Sequence, residues 1–245
     1  MKAIRLTLSK MHVGRSSVLQ EIDDFVHSDT LFSAICSAWL RLYGVNDMTA
    51  SLLASADNPP LRISSCFPYC KETYYFPKLA LPVEVPEDVR KQYKSQHFLP
   101  QDIFESLLHG IVPTKELEAY LSSGKALRHG TEYTYPRVAL DRIDNTSELY
   151  ESSDYWLADD AGLFFLYECV PQLEGKLDAV LHVLGDEGIG GKRSIGRGQF
   201  VPHKATVSLS LPEHPNRYTS LALYYPAAEE QLSPDDSYAL IERGG

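Results

Sequence analysis

The stretch GIGGKRSIGRG at 188–198 combines five glycines, three cations (Lys192, Arg193, Arg197) and one hydroxyl (Ser194) within eleven residues. Glycine adopts backbone angles that other residues resist, so such a loop can press its N–H groups against an anion. Lysine and arginine bring charge for several phosphates in succession. The chemistry on offer is neutralisation of an extended polyanion, most simply an RNA backbone. The competing reading is a mobile surface loop whose charge is incidental.

Two familiar phosphate motifs do not fit. A P-loop requires a Gly-Lys-Ser/Thr triplet before a helix, and here Gly191-Lys192 is followed by Arg193. A dinucleotide fingerprint requires a strand before its glycines and a helix after them. The order here is reversed: Leu173, Leu177, Val180, Leu181 and Leu184 repeat at helical spacing, and 205–211 (ATVSLSL) alternates like a strand. No nucleotide or other cofactor is expected. Nor is a metal, because Cys66 and Cys70 have no second close pair and no neighbouring histidine.

Composition is that of a soluble globular chain, 44% hydrophobic and 23% charged over 245 residues. Four cysteines in a chain of this length suggest no disulfide framework. No run of ~18 apolar residues is present, which argues against a membrane-spanning helix. The opening MKAIRLTLSK alternates like a strand and lacks the apolar core of a signal peptide. The expected location is the cytoplasm. The net charge of -10 is unusual for an RNA binder, but distribution matters more than the total. Residues 188–204 hold four Lys/Arg and no acid. One basic face on an acidic chain suits a subunit whose other faces meet proteins.

The elements that must position this loop are legible in part. Residues 2–8 predict a strand. Ser28 suits an N-cap, followed by a helix through Leu31, Ile35, Ala38 and Leu42 that Gly44 ends. Strands are expected near 61–66 and 73–79, irregular chain over 81–112, and a short helix over 114–123. The segment 135–142 (YPRVALDR) is expected to pair with 162–170 (GLFFLYECV), with a polar insert between them forming a protruding hairpin arm. A strand over 219–225 closes the pattern. The order suggests an α+β chain of two split β-α-β units. These are an N-terminal ferredoxin-like half with insertions over 1–134, an arm with its return strand over 135–170, and a partial C-terminal half over 171–245. The second half is expected to be incomplete at its C-terminal end.

Four segments, FVHSDTLFSAICSAW (25–39), YYFPKL (74–79), YPRVALDR (135–142) and GIGGKRSIGRGQF (188–200), stand in the order of one family. The sequence resembles the RAMP-superfamily fourth subunit of the type III-A CRISPR Csm effector complex, which is similar to the fifth Cas family. The resemblance spans most of the chain. It implies a tandem ferredoxin-like (RRM-like) RAMP fold that holds the repeat-derived 5′ tag of the crRNA without catalysing a reaction, in antiviral defence. It also implies docking onto the large polymerase-like subunit and the backbone RAMP subunit. The arm at 135–170 is similar to a thumb that reaches toward target RNA paired with the guide. Relatives continue at the C-terminus for a further helix and strand that this sequence lacks.

Within that frame Lys192, Arg193 and Arg197 neutralise tag phosphates, Gly190 and Gly191 admit the backbone, and Ser194 donates to a phosphate or closes the turn. Ser28 and Thr30 offer a helix N-terminus to an anion, against the alternative of an ordinary cap. Arg137 and Arg142 touch RNA or pair with Asp141 or Asp144. Tyr133, Tyr135, Tyr150 and Tyr155 are candidates for base stacking, against core packing. Two alternatives remain open. One is a metal-independent CRISPR RNA-processing endoribonuclease of the same fold, with His12 or His27 as general base. The other is a protein-only scaffold.

Overall fold

A computed structural model describes the chain except residues 15–21, 54, 56–57, 82, 123–128, 142, 144–145, 216, 228–229, 231–236 and 242–245. The segment AGLFFLYEC shows no alternation, and it forms β9 (Ala161–Cys169) at the centre of the main sheet. A continuous apolar run suits a strand covered on both faces. Leu163, Phe165 and Tyr167 face one core together with Ile4 and Leu6 of β1 (Lys2–Thr7). Phe164 and Leu166 face a second core together with Ala3.

Around β9 the strands run antiparallel in the order β10 (Val201–Thr206), β1, β9, β4 (Phe67–Cys70). The short β3 (Leu61–Ile63) pairs with the far end of β9. Two helices, α1 (Ser28–Leu52) after β1 and α5 (Glu174–Glu187) after β9, supply the first core through Leu31, Ile35, Trp39, Leu177, Val180 and Leu184. This βαββαβ order is ferredoxin-like. The sheet continues through β5 (Thr73–Pro77) and β6 (Phe98–Pro100). Its second face is covered by α2 (Glu87–Ser95), α3 (Gln101–Leu108) and α4 (Thr114–Ser122). There Phe76 stacks on Phe104 at 4.8 Å and meets the edge of Phe164 at 5.5 Å. A separate three-stranded sheet joins β2 (Lys10–Met11), β8 (Ser147–Leu157) and β7 (Gly130–Leu140). Among the described residues no helix is long and apolar enough to cross a membrane.

The expected α+β class with antiparallel sheets is observed. Its described residues form one ferredoxin-like unit rather than two in succession, because β1 from 1–134 sits between β9 and β10 from the later segments. The large insertion falls between β4 and β9, where a simple ferredoxin-like chain has a hairpin. The arm also differs from expectation. Within the segment expected to pair with 162–170, residues 135–140 instead pair with β8, as in Val138↔Leu149 and Arg137↔Tyr150. The sequence SELYESSDYWL carries enough polar residues to look like a loop, whereas the apolar run after it belongs to the central sheet.

Gly44 does not end α1 but kinks it, at φ 82° and ψ 167°. The continuation is held by Asp47, which accepts from Trp39 Nε1 at 2.9 Å and Lys176 Nζ at 2.5 Å. Residues 81–112, expected to be irregular, contain α2, β6 and α3. The last strand spans 201–206 rather than 205–211, and 219–225 is not a strand. That segment instead crosses the start of α1, where Leu223 N–H donates to Ser28 Oγ at 2.9 Å.

Candidate nucleic-acid interface

The 188–198 loop joins α5 to β10 and is fastened at several points. Gly188 closes α5 with φ 87° and donates to Leu184 O at 2.7 Å. Ile189 is fully buried and donates to Gly198 O, while Gly198 donates to Lys10 O, both at 2.9 Å. Gly191 N–H donates to His12 O at 2.7 Å. A Cβ at Gly190 would lie 2.6 Å from His12 O, and one at Gly198 would lie 1.9 Å from Ile189 O. These glycines therefore serve a close approach of the loop to its own chain. The mobile-loop reading does not describe this segment.

Above that base the chain turns through Lys192, left-handed at φ 55°, into one turn of 3-10 helix at Arg193–Ile195. The backbone N–H groups of Lys192, Arg193 and Ser194 donate to no other group among the described residues. Arg193 and Ser194 are exposed, and Arg193 has no ion pair among the described residues. Three successive free donors beside an exposed guanidinium are available to an anion.

The other two cations turn inward. Asp154 of β8 is fully buried. Its Oδ2 accepts from Arg197 Nε at 2.5 Å and from Tyr135 Oη–H at 2.6 Å. Lys192 Nζ lies 3.8 Å from Oδ1 of the same carboxylate and donates to Ser152 Oγ and to Ser153 O. The Arg197 side chain is only 12% exposed. Burial disfavours its charge, but Tyr135 and Asp154 outweigh that and raise its pKa. His12 also faces this cluster, with Nδ1 2.7 Å from Ser153 O and 3.8 Å from Asp154 Oδ1. A carbonyl oxygen only accepts, so Nδ1 donates in this bond, while Nε2 lies toward Gly191. A methyl group at Gly191 would lie 3.8 Å from that Nε2.

The remaining expected residues are dispersed. The N-cap position of α1 falls on His27, not Ser28, and its side chain makes no capping bond. Ser28 N–H donates to Ser65 Oγ at 3.0 Å, and its Oγ accepts from Leu223 N–H at 2.9 Å. Thr30 N–H donates to Asp29 Oδ1 at 2.6 Å. The expected anion site at this helix end is thus covered by the chain itself. His27 is buried, 3.6 Å from Asp23 Oδ2. Arg137 has no ion pair among the described residues, and its guanidinium lies 5.3 Å from the Tyr135 ring centroid. Arg142 and Asp144 lie outside the described residues. Of the tyrosines, Tyr133 and Tyr150 are exposed, Tyr155 is buried against His129, and Tyr135 bonds Asp154. Among the described residues no three His, Cys, Asp or Glu side chains converge as metal ligands. Sequence reasoning missed Asp154, Ser152 and Ser153, for which no spacing signal exists.

The sequence signature of the RAMP superfamily matches residues 6–201. The chain belongs to the RAMP superfamily. A relative of this RAMP chain, the CRISPR system Cms protein Csm4 of Thermococcus onnurineus (strain NA1), is 29% identical over 206 residues, covering 72% of this chain and 62% of the relative. This chain thus spans less than two thirds of the length of that protein. The protein of the same name from Methanocaldococcus jannaschii is 26% identical, covering 97% of this chain and 76% of the relative. The RAMP fold is shared with a crystal structure of a Csm1–Csm4 cassette in complex with cA4, at TM-score 0.58 and 22% identity, covering 86% of this chain and 71% of that chain. A Csm3–Csm4 subcomplex of the type III-A CRISPR-Cas interference complex matches at TM-score 0.56 and 21% identity, covering 87% of this chain and 70% of that chain. The resemblance drawn from four short segments is therefore matched by relatives carrying the Csm4 name.

Proposed function

We propose that this RAMP chain is a crRNA-binding subunit of a type III-A CRISPR effector, holding the 5′ tag against the outer rim of the 188–198 loop. The observation that carries this reading is the row of free N–H groups at Lys192, Arg193 and Ser194 beside the exposed Arg193. The rim is pre-organised by the bonds beneath it, so binding an RNA phosphate costs little ordering of the loop. Phosphate contacts of this kind set register and affinity and leave sequence to other groups. The hairpin β7–β8, with Arg137 and the exposed Tyr133 and Tyr150, is the surface assigned to target RNA paired with the guide. The large polymerase-like subunit and the backbone RAMP subunit are the protein partners, in the cytoplasm. This assignment is supported by relatives solved together with Csm1 and with Csm3.

The test is binding of a labelled crRNA with its repeat-derived 5′ tag, against the same RNA without the tag, across a salt series. Tag-dependent, salt-sensitive binding that Lys192→Ala/Arg193→Ala weakens, with the RNA left intact, is the expected result. Equal affinity with and without the tag overturns the assignment, and unaltered assembly without any RNA affinity points to the protein-only scaffold.

One observation favours a second reading. His12 lies beside the loop with Nδ1 bonded to Ser153 O and Nε2 making no hydrogen bond among the described residues, where a general base of an endoribonuclease would stand. Gel analysis of the same RNA separates the two: cleavage that His12→Ala abolishes establishes the nuclease.

A further inference from the structure

Three cations stand in the loop, but the structure does not present them equally. Arg197 is pressed against Asp154 at 2.5 Å, and Lys192 points toward the same carboxylate at 3.8 Å. Asp154 is fully buried, and its Oδ1 has no hydrogen-bond partner. That oxygen is flanked by Lys192 Nζ and His12 Nδ1, each 3.8 Å away. Arg193 alone points outward without an acid beside it.

From this geometry we infer that Asp154 is an internal counter-ion that withholds Arg197, and much of the charge of Lys192, from any bound polyanion. It acts as a positioning residue, and the loop engages RNA through Arg193 and the free N–H groups instead of three competing side-chain charges. This rests on the RNA-binding reading above and adds how the loop divides its charge. The physical ground is short-range pairing. A cation already held by a buried carboxylate does not neutralise a phosphate, so it releases no counter-ion from the RNA and adds little to the salt dependence of binding. A free arginine adds a full increment. The arrangement also explains the place of Asp154 in the fold. β8 brings a carboxylate beneath a loop some 40 residues later in the chain, and Tyr135 on the paired strand β7 fixes its orientation.

The experiment measures affinity of the full chain for a labelled single-stranded crRNA bearing its 5′ tag, between about 50 and about 200 mM salt, and takes the slope of log affinity against log salt. Each phosphate neutralised on a single strand contributes ~0.7 to that slope, or ~2.6-fold in affinity across this range. Arg193→Ala is expected to lower the slope by ~0.7. Asp154→Asn is expected to raise it by ~0.7 or more, because Lys192 and Arg197 are released toward the phosphates. Asp154→Asn/Arg197→Gln removes both members of the inner pair and still frees Lys192, so its slope is expected to rise by less than that of Asp154→Asn and not to fall below the wild-type value. The double variant also carries the test if Asp154→Asn alone does not fold.

A slope lowered by ~0.7 in the double variant overturns the inference, because Arg197 would then be a phosphate ligand. So does a folded Asp154→Asn with an unchanged slope. A wild-type chain that shows no salt-dependent RNA binding defeats the RNA-binding reading itself, and this inference with it. That outcome is distinct, since in the others the wild type binds. A purely structural role for Asp154 would shift the melting temperature without moving the slope.

Discussion

Gly196 and Gly198 provide a matched pair within the 188–198 loop. Both have φ +75°, so alanine at either position pays the same kind of left-handed backbone penalty, ~1 kcal/mol. Their surroundings differ. A Cβ at Gly196 meets nothing closer than Gln199 Oε1 at 3.8 Å, an ordinary contact. A Cβ at Gly198 would lie 1.9 Å from Ile189 O and 2.8 Å from Ile189 N, both backbone atoms that cannot swing aside. Relief requires the 188–198 backbone to separate, which breaks Ile189 N–H to Gly198 O and Gly198 N–H to Lys10 O. At ~1 kcal/mol for each lost bond, on top of the backbone penalty, Gly198→Ala costs roughly 3 kcal/mol. For a chain of this size each kcal/mol shifts the midpoint by ~2–4 °C. Gly196→Ala is therefore expected to lower Tm by ~3 °C and Gly198→Ala by ~6–12 °C, followed by circular dichroism. RNA affinity measured below both transitions should fall for Gly198→Ala, because Lys10 and His12 no longer hold the loop. Equal melting of the two variants would refute the reasoning, since it would mean that the close backbone approach does not exist in solution.

Further outcomes are expected elsewhere in the chain. Phe164 is fully buried on the second face of β9, 4.7 Å from Tyr74 and 5.5 Å from Phe76 between ring centroids. Phe164→Ala should cost ~3–5 kcal/mol in denaturant unfolding, and a loss below ~1.5 kcal/mol would mean that this core is loosely packed. Burial holds the His129 imidazole below its ordinary value of 6.5, against the opposing pull of Asp24, whose carbonyl accepts from Nε2 at 3.0 Å. The unfolded chain then takes up a proton near 6.5 that the folded chain refuses, so stability falls as the pH drops below that value. Denaturant titrations at about pH 7.5 and about pH 5.5 should show this loss in wild type and a smaller one in His129→Gln, and equal losses would exclude His129 as the source. Burial raises the Cys66 thiol far above its ordinary range. Mass-mapped alkylation at neutral pH should leave Cys66 unmodified until the chain unfolds, and modification of the folded chain would contradict its burial.

Much of the local structure was legible because it depends on neighbours in sequence. The alternation of 2–8, the helical spacing from Leu31 to Ala38 and from Leu177 to Leu184, and the glycine-rich turn after α5 all appear where periodicity and backbone freedom place them. The continuous apolar run of β9 was visible too, but its neighbours were not. Whether GLFFLYECV closes a hairpin or fills the centre of a sheet depends on which strands pair along its two edges, and those come from residues 2–6, 61–63 and 67–70. The site divides the same way. By itself the sequence determined a glycine-rich, basic loop between a helix and a strand, because glycine and charge act through their own chemistry. Only the tertiary structure decided which charges face out. Asp154 lies 43 residues before Arg197 and 38 before Lys192 in a polar stretch with no motif, and only the pairing of β8 with β7 and β2 carries it beneath the loop. Ser28 shows the converse: its type and position suit a cap open to an anion, and a segment nearly two hundred residues later occupies its hydroxyl. Hydrogen bonds and ion pairs reach only a few ångströms, so what a polar side chain does is decided by whatever the fold brings within that distance.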